Sequence, residues 1–354
     1  MSIDRRTFLV NALAAAGTTA AAMAAGCSRQ RGSAPLRGAV RYLWSRQAED
    51  GGFHSTTYGL LRSGQSLTPF VLLALLGVPE SESSPPRGAI ERALTFMKAN
   101  TNANGVLGLM DDTAADYPNY ATALAVCAMV KARSPGYEKV IERMIAQLRA
   151  QQFSEANGWT SQHAPYGGWG MGGSIRRPPE AGHVDLSMTR HVLEALQLSG
   201  VPASDQVMSR ALIFLQRSQN PDGGFYFSPV NPEINKAGES GGRFASYGTA
   251  TADGVLALRA AGVPNEDPRI AKAIIWLKDH HEPDRAPGFD EGTGQPWGFG
   301  LRFYYAHAIS RVLPKLPVEL PVQSSNGSFR NSVNLVKEDD PLIATAFALY
   351  VMAR

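Results

Sequence analysis

Two kinds of helical pattern alternate along the chain. In the first kind, apolar residues form one stripe and charged residues lie beside it, as with Ala211, Leu212 and Leu215 next to Arg210 and Arg217. This pattern predicts five amphipathic helices, at 37–47, 89–98, 137–151, 206–217 and 269–278. Because each has one polar face, we expect them on the outside of the molecule.

The second kind of segment is apolar almost all round and rich in Ala and Leu. It predicts six buried helices, at 67–76, 120–132, 186–198, 249–261, 301–312 and 341–352. Strand-like alternation of apolar and polar residues is nearly absent. The pattern therefore predicts an all-α protein with five outer and six inner helices.

A short glycine-containing turn followed by a bulky apolar residue stands ahead of the inner helices. It recurs six times, at 50–53, 104–106, 157–159, 222–225, 287–289 and 326–329. Glycine supplies the positive φ that such turns need. The turns therefore divide the chain into six repeats, in the last of which prolines between 314 and 321 forbid a regular outer helix.

Helix pairs of this kind cannot bury both their faces alone, so they stack side by side. Six pairs can close into a single α/α toroid around one central cavity, and an open solenoid is the alternative arrangement. We assign this domain to residues 28–354. The first 27 residues are of a different kind.

The opening segment resembles an export signal. Arg5 and Arg6 precede a weakly apolar stretch rich in alanine, as in twin-arginine signals. The stretch ends in Ala24-Ala25-Gly26-Cys27, which resembles a lipobox. We therefore expect export to the periplasm or cell envelope, with membrane attachment through a lipid on Cys27; the alternative is an ordinary cleaved signal in which Cys27 is incidental.

Composition narrows the classes of partner and cofactor. The formal net charge of +3 argues against a nucleic-acid groove, which needs clustered Lys and Arg. Two cysteines exclude a disulfide framework and a Cys-rich zinc site, and Cys127 lies in an apolar helical run typical of inert packing. We expect no metal and no cofactor, and nothing in the sequence indicates a protein partner.

Two of the turns carry a more specific motif. Segments 47–53 and 219–225 both begin with Gln and end in Asp-Gly-Gly-Phe. They are similar to the glutamine–aromatic repeats of squalene-type cyclases, and segments 298–306 and 338–346 are similar to prenyltransferase and squalene-oxidase repeat proteins. From about residue 37 onward the chain thus resembles the terpenoid cyclase and protein prenyltransferase superfamily. The resemblance implies an α/α toroid that holds an apolar, isoprenoid-type small molecule.

The chain departs from this superfamily at the motifs that carry chemistry. It is long enough for one helical barrel, whereas triterpene cyclases of the family have two. The Asp-x-Asp-Asp-Thr box of the cyclases is incomplete. Asp111, Asp112 and Thr113 match its last three residues, but its first Asp is absent. The Asp-x-Cys pair through which protein prenyltransferases bind zinc is missing.

Three aspartates are candidate general acids. Asp111 and Asp112 are adjacent, so they can share a proton, which raises the pKa of one of them; a solvated turn is the alternative. Asp253 lies one turn into an inner helix among small apolar residues, where burial favours the protonated form. Either arrangement suits proton transfer to a weakly basic substrate.

A second group of residues is predicted to contact the ligand. It comprises aromatic and polar residues of the inner helices and one tryptophan of a glycine-rich loop: Asp185, Arg190, His191, Arg302, Phe303, Tyr304, Tyr305, His307 and Trp169. Aromatic faces that line a cavity can cover an isoprenoid chain or stabilise a cation. Core packing is the alternative for the aromatic residues, ion pairing for the arginines, and an N-cap for Asp185.

Three functions fit these features. The first is a protein that binds an apolar isoprenoid-type ligand without turnover. The second is a small terpenoid cyclase or isomerase that uses Asp253 or the Asp111–Asp112 pair as its acid. The third is an enzyme acting on periplasmic polysaccharide, since other α/α toroids do so, and it requires a groove with exposed Trp and paired acids.

Overall fold

The computed structural model describes residues 34–82, 84–109, 116–290 and 294–354. Cys27, Asp111 and Asp112 therefore lie outside the described residues. Twelve α-helices lie in these described ranges: α1 (Ala34–Trp44), α2 (Leu67–Leu76), α3 (Ala89–Ala99), α4 (Pro118–Ala132), α5 (Glu138–Ala150), α6 (Leu186–Leu198), α7 (Gln206–Arg217), α8 (Gly248–Ala260), α9 (Pro268–Asp279), α10 (Trp297–Gly300), α11 (Arg302–Val312) and α12 (Pro341–Met352).

Sheet structure among the described residues consists of two antiparallel pairs of two-residue strands. In the first pair, β1 (Trp169–Gly170) runs against β2 (Val184–Asp185), with Trp169 opposite Asp185. In the second, β3 (Glu239–Ser240) runs against β4 (Arg243–Phe244). The all-α prediction is confirmed. None of the described helices is long and apolar enough to cross a membrane.

The six inner helices form a closed ring. In chain order, α2 packs against α4, α4 against α6, α6 against α8, α8 against α11, and α11 against α12, which returns to α2. This last contact distinguishes a ring from a solenoid, so the predicted α/α toroid is confirmed. Nearly every residue of α2 and α8 is buried, because these helices have neighbours on both sides and an outer layer behind them.

The outer helices lie in the grooves between consecutive inner helices. Helix α3 contacts α2 and α4, α5 contacts α4 and α6, and α7 contacts α6 and α8. On α7 the buried residues include Val207, Phe214 and, from the predicted stripe, Ala211 and Leu215, whereas Leu212 of that stripe is partly buried. In the sixth repeat, residues 313–340 contain no helix, as expected from their prolines.

A buried threonine near the start of an inner helix anchors the turn before it in five of the six repeats. Its hydroxyl oxygen accepts a hydrogen bond from the backbone N–H of the turn's apolar residue. The pairs are Phe53 with Thr68 (2.9 Å), Leu107 with Thr122 (3.0 Å), Trp169 with Thr189 (3.1 Å), Phe225 with Thr251 (3.0 Å) and Phe329 with Thr345 (2.8 Å). Each bond satisfies a donor that burial would otherwise leave unpaired.

A glutamine ties each of four turns to the outer helix of the following repeat. Its side-chain amide donates both to the turn glycine carbonyl and to a carbonyl at the start of that helix. The second bonds are Gln47 to Ala89 (2.8 Å), Gln152 to Val207 (2.8 Å), Gln219 to Arg269 (2.9 Å) and Gln323 to Pro35 (2.9 Å). The bond from Gln323 joins the sixth repeat to the first.

The turn glycine itself packs against the backbone of that same outer helix. Five turns have this packing, and in each of them the glycine has a positive φ: Gly51, Gly105, Gly167, Gly223 and Gly327. The third of these turns corrects the sequence prediction, which chose Gly158. Gly158 also has a positive φ, but a Cβ there would meet only the Pro178 ring, whereas Gly167 lies directly on the α7 backbone.

We predict that Gly223→Ala destabilises the protein more than Gly200→Ala. Both glycines have a similar positive φ, of 92° and 86°. A Cβ on Gly223 would lie 2.8 Å from the Lys272 backbone, whereas nothing lies within 4 Å of one on Gly200. We expect an additional loss of about 1–3 kcal/mol in the free energy of unfolding, measured by denaturant titration. Equal losses would mean that the close approach contributes nothing.

Candidate functional site

The axis of the ring contains two chambers. The first, which we call the N-side chamber, has a volume of about 410 Å³ and is lined by the first turns of the inner helices. The second, the C-side chamber, has a volume of about 580 Å³ and is lined by their last turns. Phe70 borders both chambers. The central cavity of the sequence prediction is therefore divided in two.

The wall of the N-side chamber is mainly apolar. All six inner helices or the residues just before them contribute to it, and the apolar members include Leu67, Phe70, Tyr120, Met188, Leu301 and Ile343. The chamber's polar groups lie in two places. Asp253, Tyr304 and Ser187 form one group on the helices, and Lys236, Lys337 and Glu338 come from loops between the helices.

Asp253 and Glu338 are the most deeply buried charged side chains of the N-side chamber, each with 1% of its surface exposed. The Tyr304 hydroxyl donates to Asp253 Oδ2 over 2.7 Å, and the same hydroxyl lies 2.6 Å from Ser187 Oγ. Asp253 Oδ1 is 3.8 Å from Arg190 Nη1 and has no hydrogen-bond partner among the described residues. One carboxylate oxygen is thus held by a hydrogen bond, while the other lies within ion-pair distance of Arg190.

Burial raises the pKa of Asp253 to about 6, although Arg190 and the Tyr304 hydroxyl both favour the ionised form. The cause lies in α8, where the neighbouring Ala250, Ala252 and Val255 keep water away from the carboxyl group. A carboxyl group that titrates near neutral pH can both give and take a proton under ordinary conditions. Asp253 therefore has the properties of a general acid–base group.

A charged layer separates the two chambers. Arg190 is 1% exposed and donates through Nε to Glu194 Oε1 over 3.0 Å, while Arg311 Nη2 donates to the same oxygen over 2.8 Å. Arg190 Nη1 lies 2.8 Å from His191 Nε2, which accepts because a guanidinium only donates. The other ring nitrogen of His191 then donates to the Ser187 carbonyl, and burial beside Arg190 holds the pKa of His191 well below its usual range.

Two lysines stand at the N-side chamber near aromatic rings. Lys236 Nζ lies 4.9 Å from the ring centre of Phe227 and 5.2 Å from that of Trp297, and burial lowers the pKa of this lysine. Lys337 Nζ donates to the Tyr117 hydroxyl over 3.0 Å. Both ammonium groups are thus directed across apolar rings rather than into open solvent.

Two carboxylates of the N-side chamber also serve as helix caps. Asp185 Oδ1 accepts from the Met188 backbone N–H at the start of α6, as the N-cap interpretation predicts, and Oδ2 lies 2.7 Å from His183 Nε2. Glu338 accepts from the backbone N–H groups of Phe303 and Tyr304, at the start of α11, and burial raises its pKa to about 7.

The structure separates the nine predicted ligand contacts and the candidate acid Asp253 into three groups. Asp185, Asp253 and Tyr304 line the N-side chamber. Arg190, His191 and His307 line the C-side chamber. The remaining four line neither chamber, and their prediction as ligand contacts is corrected here: Arg302, Phe303, Tyr305 and Trp169.

The reason for these corrections is the direction in which each side chain leaves its helix or strand. On α11 only Tyr304 faces the N-side chamber; Phe303 packs against Phe329, and the Tyr305 hydroxyl lies 2.9 Å from His281 Nδ1. Arg302, at the first position of the same helix, is directed away from both chambers. Trp169 is fully buried, and its indole donates to the Leu148 carbonyl over 2.7 Å.

Sequence reasoning missed several polar residues that the structure brings to the chambers. They include Ser187, Glu194, Lys236 and Lys337. Glu194 follows Arg190 by four residues on a helix, a spacing that signals an ion pair. The two lysines stand in loops, where no periodicity indicates direction. Within the described ranges no group of three or more His, Cys, Asp or Glu residues has a geometry that could hold a metal ion.

Part of the site matches a known sequence family. Residues 180–295 match the squalene-hopene cyclase C-terminal domain. The matched segment contains Asp185, Arg190 and Asp253 and stops before α11. No curated protein sequence matches the chain.

Solved structures of similar fold include the following three kinds of protein. A variant of the type II terpene cyclase MstE from Scytonema, in complex with merosterolic acid A, has a TM-score of 0.54 at 15% identity, over 90% of this chain and 95% of its own. The Candida albicans protein geranylgeranyltransferase-I complexed with GGPP has a TM-score of 0.54 at 12% identity, over 89% and 91%. An inactive variant of an α-1,6-mannanase from Salegentibacter, in complex with α-1,6-mannotriose, has a TM-score of 0.53 at 12% identity, over 90% and 97%.

At these identities the structural likeness establishes the fold. Together with the family match, it confirms the predicted resemblance to the terpenoid cyclase and prenyltransferase superfamily. The mannanase shows that the same fold also occurs in a protein that binds a sugar chain. The choice between ligands therefore has to come from the chambers of this chain.

We predict that Asp253→Asn makes unfolding less dependent on pH. Because the folded-state pKa is raised to about 6, wild-type Asp253 stabilises the fold relative to Asn most at low pH. That relative stability is lost as the pH rises from about 4 through 6, by about 2–3 kcal/mol in total. Denaturant unfolding of both proteins at pH 4.5 and 7.5 measures the difference, and parallel behaviour at both values would contradict the raised pKa.

Proposed function

We propose that this chain binds an apolar, isoprenoid-type ligand in its N-side chamber. The observation that carries this proposal is a mainly apolar wall supplied by all six repeats around the three buried carboxyl groups of Asp185, Asp253 and Glu338. The N-side chamber has a volume of about 410 Å³, which lies in the range of ordinary small-molecule sites. The complexes of the two isoprenoid-related neighbours with merosterolic acid A and GGPP support the same class of ligand.

The chamber suits a hydrocarbon better than a sugar. A buried sugar hydroxyl needs a hydrogen-bond partner, and here the Tyr304 hydroxyl is already paired with Asp253 and Ser187. Stacking on a sugar ring typically uses a tryptophan, and none of the five tryptophans lines either chamber. An isoprenoid chain requires only the apolar contacts that the wall provides.

The predicted location agrees with such a ligand. With the proposed export signal and a lipid on Cys27, the chain would be held at the cell envelope, next to the membrane that contains apolar lipids. A carrier or modifying protein for a membrane-derived isoprenoid benefits from this tether, since it shortens the transfer distance.

The direct test is mass spectrometry of organic extracts from the protein, purified from bacteria that make isoprenoids. We expect a hydrocarbon or prenyl lipid in near-stoichiometric amount, because the apolar wall excludes water and retains such a ligand. An empty extract from protein with a native circular dichroism spectrum would count against the isoprenoid ligand.

Two isoleucine variants locate the ligand. Ile343 is partly buried and lines the N-side chamber, so Ile343→Trp fills part of its volume. Ile275 is 57% exposed on the outer helix α9, so Ile275→Trp makes the same change where no ligand is expected. Calorimetric titration with farnesol should show at least a tenfold loss of affinity in the first variant only. Unchanged affinity in Ile343→Trp would place the ligand elsewhere.

A second candidate function is proton transfer to the bound ligand by Asp253, as in a small cyclase or isomerase. It is favoured by the position of Asp253 Oδ1, which is buried, has no hydrogen-bond partner within the described residues and belongs to a carboxyl group that faces the apolar chamber. Tyr304 and Ser187 orient the other oxygen. A carbocation formed in the chamber would lie near the faces of Tyr120, Tyr247 and Phe347.

We expect Asp253→Asn to abolish conversion of a linear prenyl alcohol while retaining its binding. General acid catalysis contributes about 10²–10⁴ to a rate, so the loss should be at least 100-fold by gas chromatography of products. If the protonated form is active, wild-type turnover falls as the pH rises above about 6. The matched control is Asp205→Asn, which removes a carboxylate that caps the outer helix α7. Full activity in Asp253→Asn would eliminate this mechanism.

A further inference from the structure

The C-side chamber is surrounded by positively charged side chains from four inner helices. Lys131 ends α4, Arg259 ends α8, Arg311 ends α11, and Arg354 follows α12. All four line the chamber, and Glu194 is the one carboxylate in its lining among the described residues. The side chains that line this end of the ring therefore carry a net positive charge.

Glu194 does not neutralise all of these cations. Its carboxylate is engaged by Arg190 and Arg311. Arg259 instead donates to the neutral Asn265 side chain over 2.8 Å, and Arg354 donates to the Ser310 carbonyl over 3.0 Å. No carboxylate in the described part of the chain forms an ion pair with Lys131, Arg259 or Arg354.

Basic residues at helix carboxyl ends are common, because they complement the helix dipole. Lys98 and Lys278 do so in the last turns of the outer helices α3 and α9, where both are exposed. In the C-side chamber the cations converge on one concave space instead. Burial also lowers the pKa of Arg259 and Arg354, although for Arg354 the carboxylate of Glu194 opposes part of this shift.

A second observation concerns a buried histidine at the inner end of the C-side chamber. His307 is 5% exposed and lines the chamber, and its Nδ1 has no hydrogen-bond partner among the described residues. Burial and the neighbouring Arg190 hold the pKa of His307 well below its usual range, so the ring is neutral. A buried polar nitrogen without a partner is unusual in a folded protein and indicates an unfilled polar contact.

The remaining wall of the C-side chamber is apolar and includes Phe70, Leu73, Leu124 and Leu256. We propose that this chamber is a second binding site, for a small amphiphilic anion with a phosphate or carboxylate head and a short apolar tail. The head pairs with Lys131, Arg259 and Arg354, and the tail packs against the leucines. This site is separate from the N-side chamber, because the Arg190–Glu194 layer lies between them.

The test is calorimetric titration of the full chain at pH 7 with octyl phosphate and with octanoate. We expect at least one of them to bind with an affinity that falls as salt is added, and the stronger one identifies the head group. Octyl glucoside has the same tail without charge, and inorganic phosphate has a charged head without the tail; both should bind at least tenfold more weakly. Equal binding of octyl glucoside would contradict the role of charge, and equal binding of phosphate that of the tail.

Variants assign the site to the C-side chamber. Lys131→Gln, Arg259→Gln and Arg354→Gln should each weaken binding of the amphiphilic anion by about tenfold, because each removes one charged partner. Lys278→Gln is the matched control, since Lys278 is an exposed lysine in the last turn of the outer helix α9. Ile343→Trp in the N-side chamber should leave this binding unchanged.

Either of two results would overturn the proposal. One is unchanged affinity in all three charge variants, each shown to be folded by its circular dichroism spectrum. The other is loss of anion binding in Ile343→Trp, which would place the amphiphile in the N-side chamber. Because the isoprenoid proposal is tested with the neutral farnesol, the two proposals can fail separately.

Discussion

The whole architecture depends on how the turn before each inner helix is held. A threonine hydroxyl of the inner helix, such as Thr251, accepts the buried N–H of the turn, and a glutamine such as Gln219 ties the turn to the next outer helix. These are bonds to backbone groups that could not be buried unpaired. Because these bonds recur, each helix pair packs against the next in a similar way. Gln323 joins the last pair to Pro35 of the first. The ring, and with it both chambers, follows from that closure.

Closure also explains where charge is found inside the protein. Six helices around an axis leave a central space that apolar residues fill only in part, and the charged layer of Asp253, Arg190 and Glu194 divides it. Burying these groups is unfavourable unless they meet one another or a ligand. Arg190 does so with two carboxylates, whereas Asp253 keeps one oxygen without a hydrogen-bond partner. The two chambers on either side of this layer differ accordingly, the N-side being largely apolar and the C-side bearing a ring of cations.

Local pattern was sufficient for the helices and insufficient for one of the turns. The sequence predictions for 67–76, 186–198, 206–217 and 341–352 coincide with the observed helices, because continuous periodicity and breakers define both ends. The third turn was assigned to Gly158 although Gly167 occupies the equivalent position. Gly158 stands alone before Trp159, whereas Gly167 and Gly168 together precede Trp169, as two glycines precede Phe53 and Phe225. The doubled glycine was the local signal for Gly167, and packing against the α7 backbone selects it.

Sequence by itself determined the type and order of eleven of the twelve helices in the described ranges, all except the short α10, and the candidate acid Asp253, because periodicity and small apolar neighbours are local properties. It also carried the superfamily resemblance through its repeated turns. The tertiary structure decided which face of each helix points to the axis, and therefore that Tyr304 contacts Asp253 while Phe303 and Tyr305 do not. Ser187 and Tyr304 are 117 residues apart and meet only because the ring closes. The physical reason is that rotation about a helix axis depends on its neighbours, which periodicity alone does not specify when a helix is apolar on every side.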